Sequence, residues 1–367
     1  MSYRIFAINP GSTSTKIALY EGDQEIFSAS VKHEAEKLAE FATISDQLPY
    51  REEMILDEVE KAGVDLSTVD AFSGRGGGLL SAEGGTYAVN DILLDHATRG
   101  ANGVQHPAML GPQLAHKFAL KYGKKAYVVN PPDTDELQDV ARMTGIKGLY
   151  RASHMHALNL KEMTIRHAAS QGKKYEELNL IACHLGGGIT VSAHRQGKMI
   201  DGNDIVGGDG PMTPTRCGSI PVVEVLNYME KNDVTADEMR KLCTKSGGFV
   251  DHLGTSEGLD VVAMIEDGSK EAEMVWETMI YQVNKYIGSM ASALHGKVDA
   301  ILLGGGMAHN DGLVQEVKDA NGWIAPIFVY PGEFEMIALA SGVARVLEGK
   351  EELKEYTGVP YWKGFNF

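Results

Sequence analysis

The chain has 367 residues, of which 43% are hydrophobic and 23% are charged, a composition typical of a globular protein with room for two domains. Its 50 acidic residues outnumber its 34 basic ones, and the net charge of −16 disfavours nucleic acid and anionic membranes as partners. Apolar runs fall short of the ~20 residues of a membrane-spanning helix, and the N-terminal run is too short for a signal peptide. Three cysteines without metal-ligand spacing predict reduced thiols and a cytoplasmic location.

The first half of the chain is predicted to begin with three strands and to continue with helices and strands in alternation. Runs rich in β-branched and aromatic residues predict strands, and apolar residues at helical spacing predict helices. The predicted strands are RIFAIN, KIALYE, EIFSASVK, DAFSGR and KAYVVN. The predicted helices run from about Glu34 to Leu48, from about Glu52 to Ala62, and through PAMLGPQLAHKFAL.

The second half repeats the order of the first. LNLIACHL, ITVSAHRQ and MIDGND form a second three-stranded meander, and helices then alternate up to the strand DAILLGG. This repetition predicts an α/β fold of two duplicated domains with a ligand-binding cleft between them. We expect residues 1–155 together with 335–367 to form the N-terminal domain, with a last helix at about Glu335 to Leu353. Residues 156–334 are expected to form the C-terminal domain.

The segment NPGSTSTK, residues 9–16, joins the first two predicted strands. A phosphate-binding loop of the GxxxxGK[ST] type is followed by a helix, whereas β-branched KIALY follows here. The segment is therefore predicted to be the tip of a hairpin, where amides freed by Gly11 and hydroxyl groups could hold a phosphate. An ordinary polar turn explains this motif equally well.

Two later glycine-rich turns favour the phosphate-binding interpretation. CHLGGGIT occupies the equivalent position in the second meander, and its three glycines leave backbone amides accessible to a nucleotide phosphate. LLGGGMAHND places a third glycine turn between a strand and a helix. Two hairpin loops followed by a late glycine turn are a more specific signal than one loop alone.

These motifs, in this order, resemble the actin-like ATPase superfamily of sugar kinases and chaperone ATPases, and within it the acetate and butyrate kinase family. INPGSTSTK, SGRGGG, HPAMLG, HALN, HLGGGI, DGPMTPTRCG and PGEFEMIALA are similar to butyrate kinases and span residues 8 to about 342. The resemblance implies two duplicated actin-like (ribonuclease H-like) domains, ATP/ADP and Mg²⁺ as cofactors, and a homodimer or larger homo-oligomer. It also implies reversible phosphoryl transfer between ATP and butyrate, or a branched acid such as isobutyrate, to give ADP and an acyl phosphate.

The residue types fit this reaction. A carboxylate is already a nucleophile, so the protein has to bring two anions together and neutralise charge on the transferred phosphoryl group. Arginine suits this task because it is permanently charged and binds anions through two N–H groups. Domain closure would exclude water, which hydrolyses acyl phosphates.

The resemblance assigns catalytic roles to four residues. Arg75 matches the arginine that holds the substrate carboxylate, and Arg216 matches the one placed against the transferred phosphoryl group. His184 matches a histidine that donates to the phosphoryl oxygens, and Asn9 matches the asparagine of the first loop. His156 of the HALN segment is left open between the core and the site.

The remaining residues implied by the resemblance bind metal, phosphate, nucleotide or substrate. Asn9 and Glu333 are the magnesium ligands, directly or through water, with Glu335 as the alternative to Glu333. The phosphate-binding residues are Ser12, Ser14, Lys16, Gly186, Gly187 and Gly188. The nucleotide-binding residues are Glu257, Gly258, Gly304, Gly305 and Gly306. The substrate-pocket residues are Gly77, His106 and Pro214.

Two positions depart from the family pattern, and two other functions stay open. Asn130 stands where these kinases usually have an aspartate. Gly77 replaces an apolar side chain of acetate kinases, which predicts a deeper pocket and a preference for acids of about four carbons over acetate. A sugar or polyol kinase would need an aspartate base, for which Asp133 or Asp201 could serve. A non-catalytic nucleotide switch would leave the two arginines unexplained.

Overall fold

The computed structural model describes residues 2–367, which form two compact α/β units. The strands are β1 (Arg4–Pro10), β2 (Ser14–Glu21), β3 (Gln24–Lys32), β4 (Ala71–Gly74), β5 (Thr86–Ala88), β6 (Lys125–Val129), β7 (Asn179–Leu185), β8 (Ile189–Arg195), β9 (Lys198–Gly202), β10 (Ala300–Gly305), β11 (Ile327–Pro331) and β12 (Leu353–Lys354). The helices are α1 (Ala35–Ala39), α2 (Leu48–Lys61), α3 (Asp91–Arg99), α4 (Leu110–Tyr122), α5 (Asp139–Arg142), α6 (Ala157–Ser170), α7 (Val222–Asn232), α8 (Ala236–Lys241), α9 (Phe249–Leu253), α10 (Gly258–Glu266), α11 (Lys270–Ala293), α12 (Asp311–Asn321) and α13 (Glu335–Leu347). Within residues 2–367, no helix combines the length and the apolar character needed to cross a membrane.

The first unit contains residues 2–135 and 334–367 and is built on one sheet. In the described part of the chain this sheet has seven strands, in the order β12-β5-β6-β4-β1-β2-β3. β1, β2 and β3 are antiparallel, whereas β4 pairs in parallel with β1 and β6. The rings of Phe6, Phe72 and Phe118 meet in the core, with centroids 5.9, 6.0 and 6.4 Å apart. The five strands predicted in this half are confirmed.

The second unit contains residues 136–333 and repeats this arrangement. Its sheet, over the described residues, has five strands in the order β11-β10-β7-β8-β9. β7, β8 and β9 are antiparallel and β10 is parallel to β7, as β4 is to β1. Even the pairing irregularities correspond, between Leu19 and Tyr20 in β2 and between Ala193 and His194 in β8. The predicted duplication is therefore present in the topology.

Two predicted helices end earlier in the structure than expected. The helix expected from about Glu34 to Leu48 is wrong over most of its length, because α1 ends at Ala39. Asp46 accepts hydrogen bonds from the amide and hydroxyl groups of Thr43, both at 2.8 Å, and these local bonds compete with helix formation. The last helix stops at Leu347 rather than Leu353, and Gly349 takes a left-handed φ of 70° just beyond it.

The boundary between the units lies at Asp135/Glu136, earlier than the expected boundary after residue 155. Glu136 forms a buried ion pair with Lys161 of α6 at 2.8 Å and also accepts the Met199 amide at 2.8 Å. The Gln138 amide donates to the Ile200 carbonyl of β9 at 2.9 Å. These bonds attach residues 136–138, the start of the second unit, to the helix α6 and the strand β9 of that unit. The chain returns to the first unit at Phe334.

Candidate active site

The segment between β1 and β2 is a tight hairpin loop, which we call the hydroxyl loop (Gly11–Thr15). Pro10 faces Thr15 across the hairpin, and the Gly11 amide donates to the Ser14 carbonyl at 2.7 Å. Ser12, Thr13 and Lys16 are exposed, whereas Thr15 is buried. The predicted hairpin geometry is confirmed, since the strand β2 and not a helix follows the loop.

Arg75 follows β4 at the end of the sheet where β1 and β4 run side by side. Its amide donates to the Ile8 carbonyl at 2.9 Å, which continues the parallel pairing. The close approach of α4 is possible because Gly74 and Gly111 lack side chains. A Cβ on Gly111 would lie 2.8 Å from the Arg75 nitrogen, and one on Gly74 would lie 2.9 Å from the nitrogen of Pro112. Part of the SGRGGG motif is therefore required by the packing that positions Arg75.

The Arg75 side chain lies in a hydrogen-bonded network with Asn9 and Glu335, which we call the Arg75 network. Its Nη1 donates to Glu335 Oε1 at 2.9 Å, to Glu335 Oε2 at 3.0 Å and to Asn9 Oδ1 at 3.3 Å. Asn9 Nδ2 donates to Glu335 Oε2 at 2.8 Å. The structure thus brings together two predicted site residues and Glu335, which the sequence offered as the alternative to Glu333.

The donor set of the Arg75 network is compatible with Mg²⁺. Glu335 and Asn9 offer a carboxylate and an amide oxygen, and Mg²⁺ is commonly held by one or two carboxylates with phosphates and water as further ligands. A cluster of three His, Cys, Asp or Glu side chains that could hold a metal ion does not occur in residues 2–367. Two oxygen donors would leave the rest of a Mg²⁺ coordination shell to phosphates and water.

Gly77 and His106 have packing roles in the first unit. A Cβ on Gly77 would lie 3.0 Å from the Cβ of Ala108 and 3.0 Å from the Met109 nitrogen, so the turn at Pro107–Met109 fills the adjacent space. His106 Nδ1 accepts the Ala108 amide at 3.1 Å and caps this turn. A role for either residue in a substrate pocket stays a prediction.

Asn130 is explained by its backbone conformation. Its φ is 38°, in the left-handed region that asparagine tolerates better than most residues. Its Oδ1 accepts the Gly85 amide at 2.8 Å, and its own amide donates to the Gly85 carbonyl at 2.9 Å. The replacement of the usual aspartate thus leaves a side chain that fixes a turn of the first unit.

In the second unit, β7 and β8 are joined by the glycine turn (Gly186–Gly188), the counterpart of the hydroxyl loop. The Gly187 carbonyl accepts hydrogen bonds from Thr213 Oγ1 at 2.8 Å and from Thr215 Oγ1 at 3.0 Å. These bonds attach the turn to the segment that carries Arg216. Gly247 and Gly248 allow close packing behind that segment, since a Cβ on Gly247 would lie 2.7 Å from the nitrogen of Cys217.

The Arg216 guanidinium group lies against Gly188 with unused donors. A Cβ on Gly188 would lie 2.7 Å from Arg216 Cζ and 3.2 Å from Nη2. Arg216 Nε and Nη1 are buried and have no hydrogen-bond partner among the described residues. Burial lowers the pKa of Arg216, and the nearby Asp204 carboxylate partly offsets this effect. A buried cation with unsatisfied N–H groups is a site prepared for an anion.

His184 lies at the end of β7 beside the same turn. Its Nδ1 is 2.8 Å from Asn159 Nδ2, and its ring stacks on that of His156 with centroids 4.0 Å apart. Since the Asn159 amide group donates to Nδ1, the ring hydrogen belongs on Nε2. A Cβ on Gly186 would lie 2.9 Å from Nε2, so this donor faces the glycine turn. His156 thus packs against a predicted site residue, and whether it takes part in the site stays a prediction; Asn159 is a contact of His184 that was not predicted from the sequence.

A cleft of about 390 Å³ opens beside the glycine turn. Its wall contains Gly186, Gly187, Pro214, Ser256, Glu257, Gly258, Leu259, Trp276, Gly306, Met307, His309, Asn310 and Glu333. Glu257, Gly258 and Gly306 were predicted to bind nucleotide, and the structure brings them together here. Trp276 and Met307 add an apolar wall that was not predicted from the sequence.

The structure gives the surroundings of four further predicted residues, whose roles stay predictions. Pro214, predicted for the substrate pocket, lies in the wall of this cleft, and so does Glu333, predicted as a magnesium ligand with Asn9. Gly304 is buried in β10, where a Cβ would lie 2.8 Å from Met163 Sδ. Gly305 has a φ of 90° and its Cβ would lie 2.7 Å from the Leu185 nitrogen. Strand packing thus accounts for the absence of a side chain at both positions, and their contact with a nucleotide stays a prediction.

A larger cleft of about 700 Å³ lies under α7 in the same unit. Its wall includes the apolar residues Val225, Tyr228, Met239 and Leu242. The glycine turn contributes to the smaller cleft, together with the ends of β10 and α10. Phosphates bind at such strand-to-turn positions, so the smaller cleft is the better nucleotide candidate.

Comparison with known proteins agrees with this geometry. The model of the acetokinase family matches residues 142–321. A probable butyrate kinase of Clostridium botulinum (strain Eklund 17B / Type B) is 43% identical over 356 residues, which cover 97% of this chain and 100% of that protein. This chain belongs to the acetokinase family. A second probable butyrate kinase, of the C. botulinum strain Alaska E43 / Type E3, shows the same identity and coverage.

Solved structures of this family share the fold. The crystal structure of Porphyromonas gingivalis acetate kinase has a TM-score of 0.75 at 17% identity and covers 94% of this chain and 100% of that chain. A propionate kinase from Francisella tularensis subsp. tularensis SCHU S4 has a TM-score of 0.71 at 16% identity, covering 93% and 98%. The predicted class, two duplicated actin-like α/β domains, is confirmed.

Proposed function

We propose that this protein is a butyrate kinase, which transfers the γ-phosphoryl group of ATP reversibly to butyrate or isobutyrate. Membership of the acetokinase family makes the chain a carboxylate kinase, and the 43% identity to probable butyrate kinases supports the four-carbon substrate. The observation that carries the proposal is the Arg216 guanidinium, which lies against the glycine turn with two buried and unpartnered nitrogen atoms.

We assign the nucleotide to the cleft of the second unit. The glycine turn would receive its phosphates, and Trp276, Met307 and Leu259 offer an apolar surface for the adenine ring. Arg216 would neutralise the charge that develops on the transferred phosphoryl group, and His184 would donate from Nε2 to one of its oxygens. His184 is held by Asn159 and His156 before the substrate binds, and preorganised donors of this kind lower a barrier.

We assign the carboxylate to Arg75. Its guanidinium is held by Glu335 and Asn9, so its position is fixed, and the acid needs no base because its carboxylate is the nucleophile. Glu335 and Asn9 would hold Mg²⁺, directly or through water, and the ion when bound would neutralise charge on the phosphates. The hydroxyl loop, with Ser12, Ser14 and Lys16, would contribute further donors to the phosphoryl group.

The other two functions receive less support. Asp201 is a poor base for a sugar hydroxyl, because it is ion-paired with Arg151 at 2.9 Å and accepts the Gly202 amide at 2.8 Å. Asp133 is buried and accepts a hydrogen bond from Asn102. A nucleotide switch without catalysis would not require a second arginine fixed in the Arg75 network.

The direct test is to trap the acyl phosphate as a hydroxamate with hydroxylamine, using ATP, Mg²⁺ and acids from acetate to hexanoate. We expect hydroxamate with a maximum at butyrate or isobutyrate. Arg75→Ala and Arg216→Ala should each lower kcat/KM by at least about 10²-fold. Arg240→Ala is the matched control, since Arg240 is exposed on α8, and it should retain the wild-type rate.

The acid series separates the two levels of the proposal. Acetate as the best substrate would contradict the assignment to butyrate while leaving carboxylate kinase activity intact. ATP turnover with sugars and none with acids would contradict the carboxylate assignment itself. The Arg75→Ala variant should show its loss mainly in KM for the acid, and the Arg216→Ala variant in kcat.

Assembly and location complete the proposal. We expect a homodimer or larger homo-oligomer, and the exposed apolar side chains of Val222, Val223 and Leu226 on α7 support an interface. Sedimentation or light scattering would measure the assembly. The three free cysteines support a reducing, cytoplasmic location.

A further inference from the structure

A buried arginine lies directly beneath the hydroxyl loop. Arg51 on α2 has no exposed surface. Its Nη1 donates to the Gly11 carbonyl and to Thr15 Oγ1, both at 3.0 Å. Its Nε donates to Gln47 Oε1 at 3.1 Å on the helix side. Arg51 therefore ties both ends of the loop to α2, and its position on a helix gave no sign of this in the sequence.

The charge of Arg51 is not balanced by an acid. Its partners among the described residues are carbonyl groups, one hydroxyl group and one amide, all uncharged, and its buried Nη2 lacks a partner there. Burial lowers the pKa of Arg51 to about 10, so the group still carries its proton at neutral pH. A buried cation without a counter-ion is costly, and an anion bound nearby would offset part of that cost.

The neighbouring hydrogen bonds leave a single positive charge under the loop. Since arginine can only donate, the Thr15 hydroxyl accepts from Arg51, and it also forms a hydrogen bond with His33 Nε2, 2.8 Å away. Burial and the adjacent Arg51 charge lower the pKa of His33 to about 4, so its ring is neutral at pH 7. On the other side of the loop, Ser12 and Thr13 are exposed to solvent and to any ligand.

We propose that Arg51 holds the hydroxyl loop in its anion-binding conformation and that its buried charge attracts the phosphoryl group that binds there. The inference rests on the proposed function for the identity of the anion. Its physical basis is separate: a charge behind a thin layer of backbone acts through a low-dielectric medium, so its attraction for an anion is weakly screened. Arg51 is a positioning residue, since the loop lies between it and the ligand.

The test compares Arg51→Gln with Arg51→Lys, which differ in whether the buried charge is kept. The probe is inorganic phosphate, titrated by calorimetry in an Arg216→Ala background so that the donor of the second unit does not contribute. We expect Arg51→Gln to bind phosphate at least tenfold more weakly than Arg51→Lys. In the otherwise wild-type enzyme, Arg51→Gln should lower kcat/KM by at least tenfold. Gln47→Met is the matched control, because it removes the contact on the helix side and leaves the loop contacts, and it should keep wild-type phosphate affinity.

Equal phosphate affinities of folded Gln and Lys variants would overturn the inference. If neither variant folds, the Arg51 Nε–H resonance of the Arg216→Ala protein decides the question by NMR. Phosphate should shift this resonance along a saturable curve, and an unchanged resonance would contradict the proposal. Absence of kinase activity in the wild-type protein would instead refute the proposed function, and the phosphate titration is independent of that result.

Discussion

The contact between Gly188 and Arg216 allows a sharp test of the second unit's site. An alanine at position 188 would place its Cβ on the guanidinium group, 2.7 Å from Cζ, so Arg216 has to move. The φ of Gly188 lies outside the left-handed region, so alanine introduces no backbone strain. We therefore expect Gly188→Ala to fold with a loss of stability below about 1 kcal/mol, the usual range for a change that a side chain can accommodate.

The catalytic effect should be much larger. Loss of one preorganised donor to a developing charge costs about 10²–10³ in kcat, or about 3–4 kcal/mol, and we expect Gly188→Ala to reach the lower value. The hydroxamate assay measures kcat and KM for ATP and butyrate, and thermal unfolding measures stability. Gly288→Ala is the control, because this glycine lies on α11 outside the lining of the cleft and its Cβ would meet no described atom within 4 Å, and its loss should be at least tenfold smaller.

A double-mutant cycle shows whether the effect passes through Arg216. If Gly188→Ala acts by displacing this side chain, Gly188→Ala combined with Arg216→Ala should be no slower than Arg216→Ala alone. Multiplied losses in the double variant, or wild-type kcat in Gly188→Ala, would refute the reasoning.

Three further predictions follow from single contacts. Asn159→Asp should switch the tautomer of His184, because a carboxylate accepts a hydrogen bond from Nδ1–H. We expect kcat to fall by ~10–10²-fold and ¹⁵N NMR to show the ring hydrogen on Nδ1 and no longer on Nε2. An unchanged tautomer would contradict the assignment. Burial lowers the pKa of His194 to about 3, so the unfolded state takes up a proton below pH 6.5 that the folded state does not. The free energy of unfolding should therefore fall as the pH drops, by about 2 kcal/mol at pH 5. His194→Gln should remove that part of the difference between denaturation curves measured at pH 7 and pH 5. Asn130→Ala should lower the free energy of unfolding by about 1–2 kcal/mol, because alanine tolerates the left-handed φ poorly and the hydrogen bond to Gly85 is lost. Asn130→Asp should lower it less in the same denaturation series. Equal losses would argue against the conformational explanation.

Much of the fold could be predicted because hydrophobic periodicity is local. Runs of a few residues were enough to predict the two meanders, their hairpin loops and the strand that follows each meander, and the predicted order is correct. The helix expected from about Glu34 to Leu48 failed because side-chain bonds between Asp46 and Thr43 override the periodic signal. The boundary between the two compact units lies earlier than the expected domain boundary, since the pairing of Glu136 with Lys161 joins distant parts of the chain.

The sequence by itself determined the family and the duplicated architecture and predicted the two arginines, since each of these depends on motifs that are contiguous in the chain. Tertiary structure alone decided which residues meet. It brought Glu335 to Arg75 across 260 residues, assigned Pro214 and Glu333 to the wall of one cleft, and placed Asn159 behind His184. It also showed Arg51 under the hydroxyl loop, where a solvent-facing charge would have been the ordinary expectation for arginine on a helix. These contacts depend on how strands and helices pack in three dimensions, and the order of side chains along the sequence does not specify that packing.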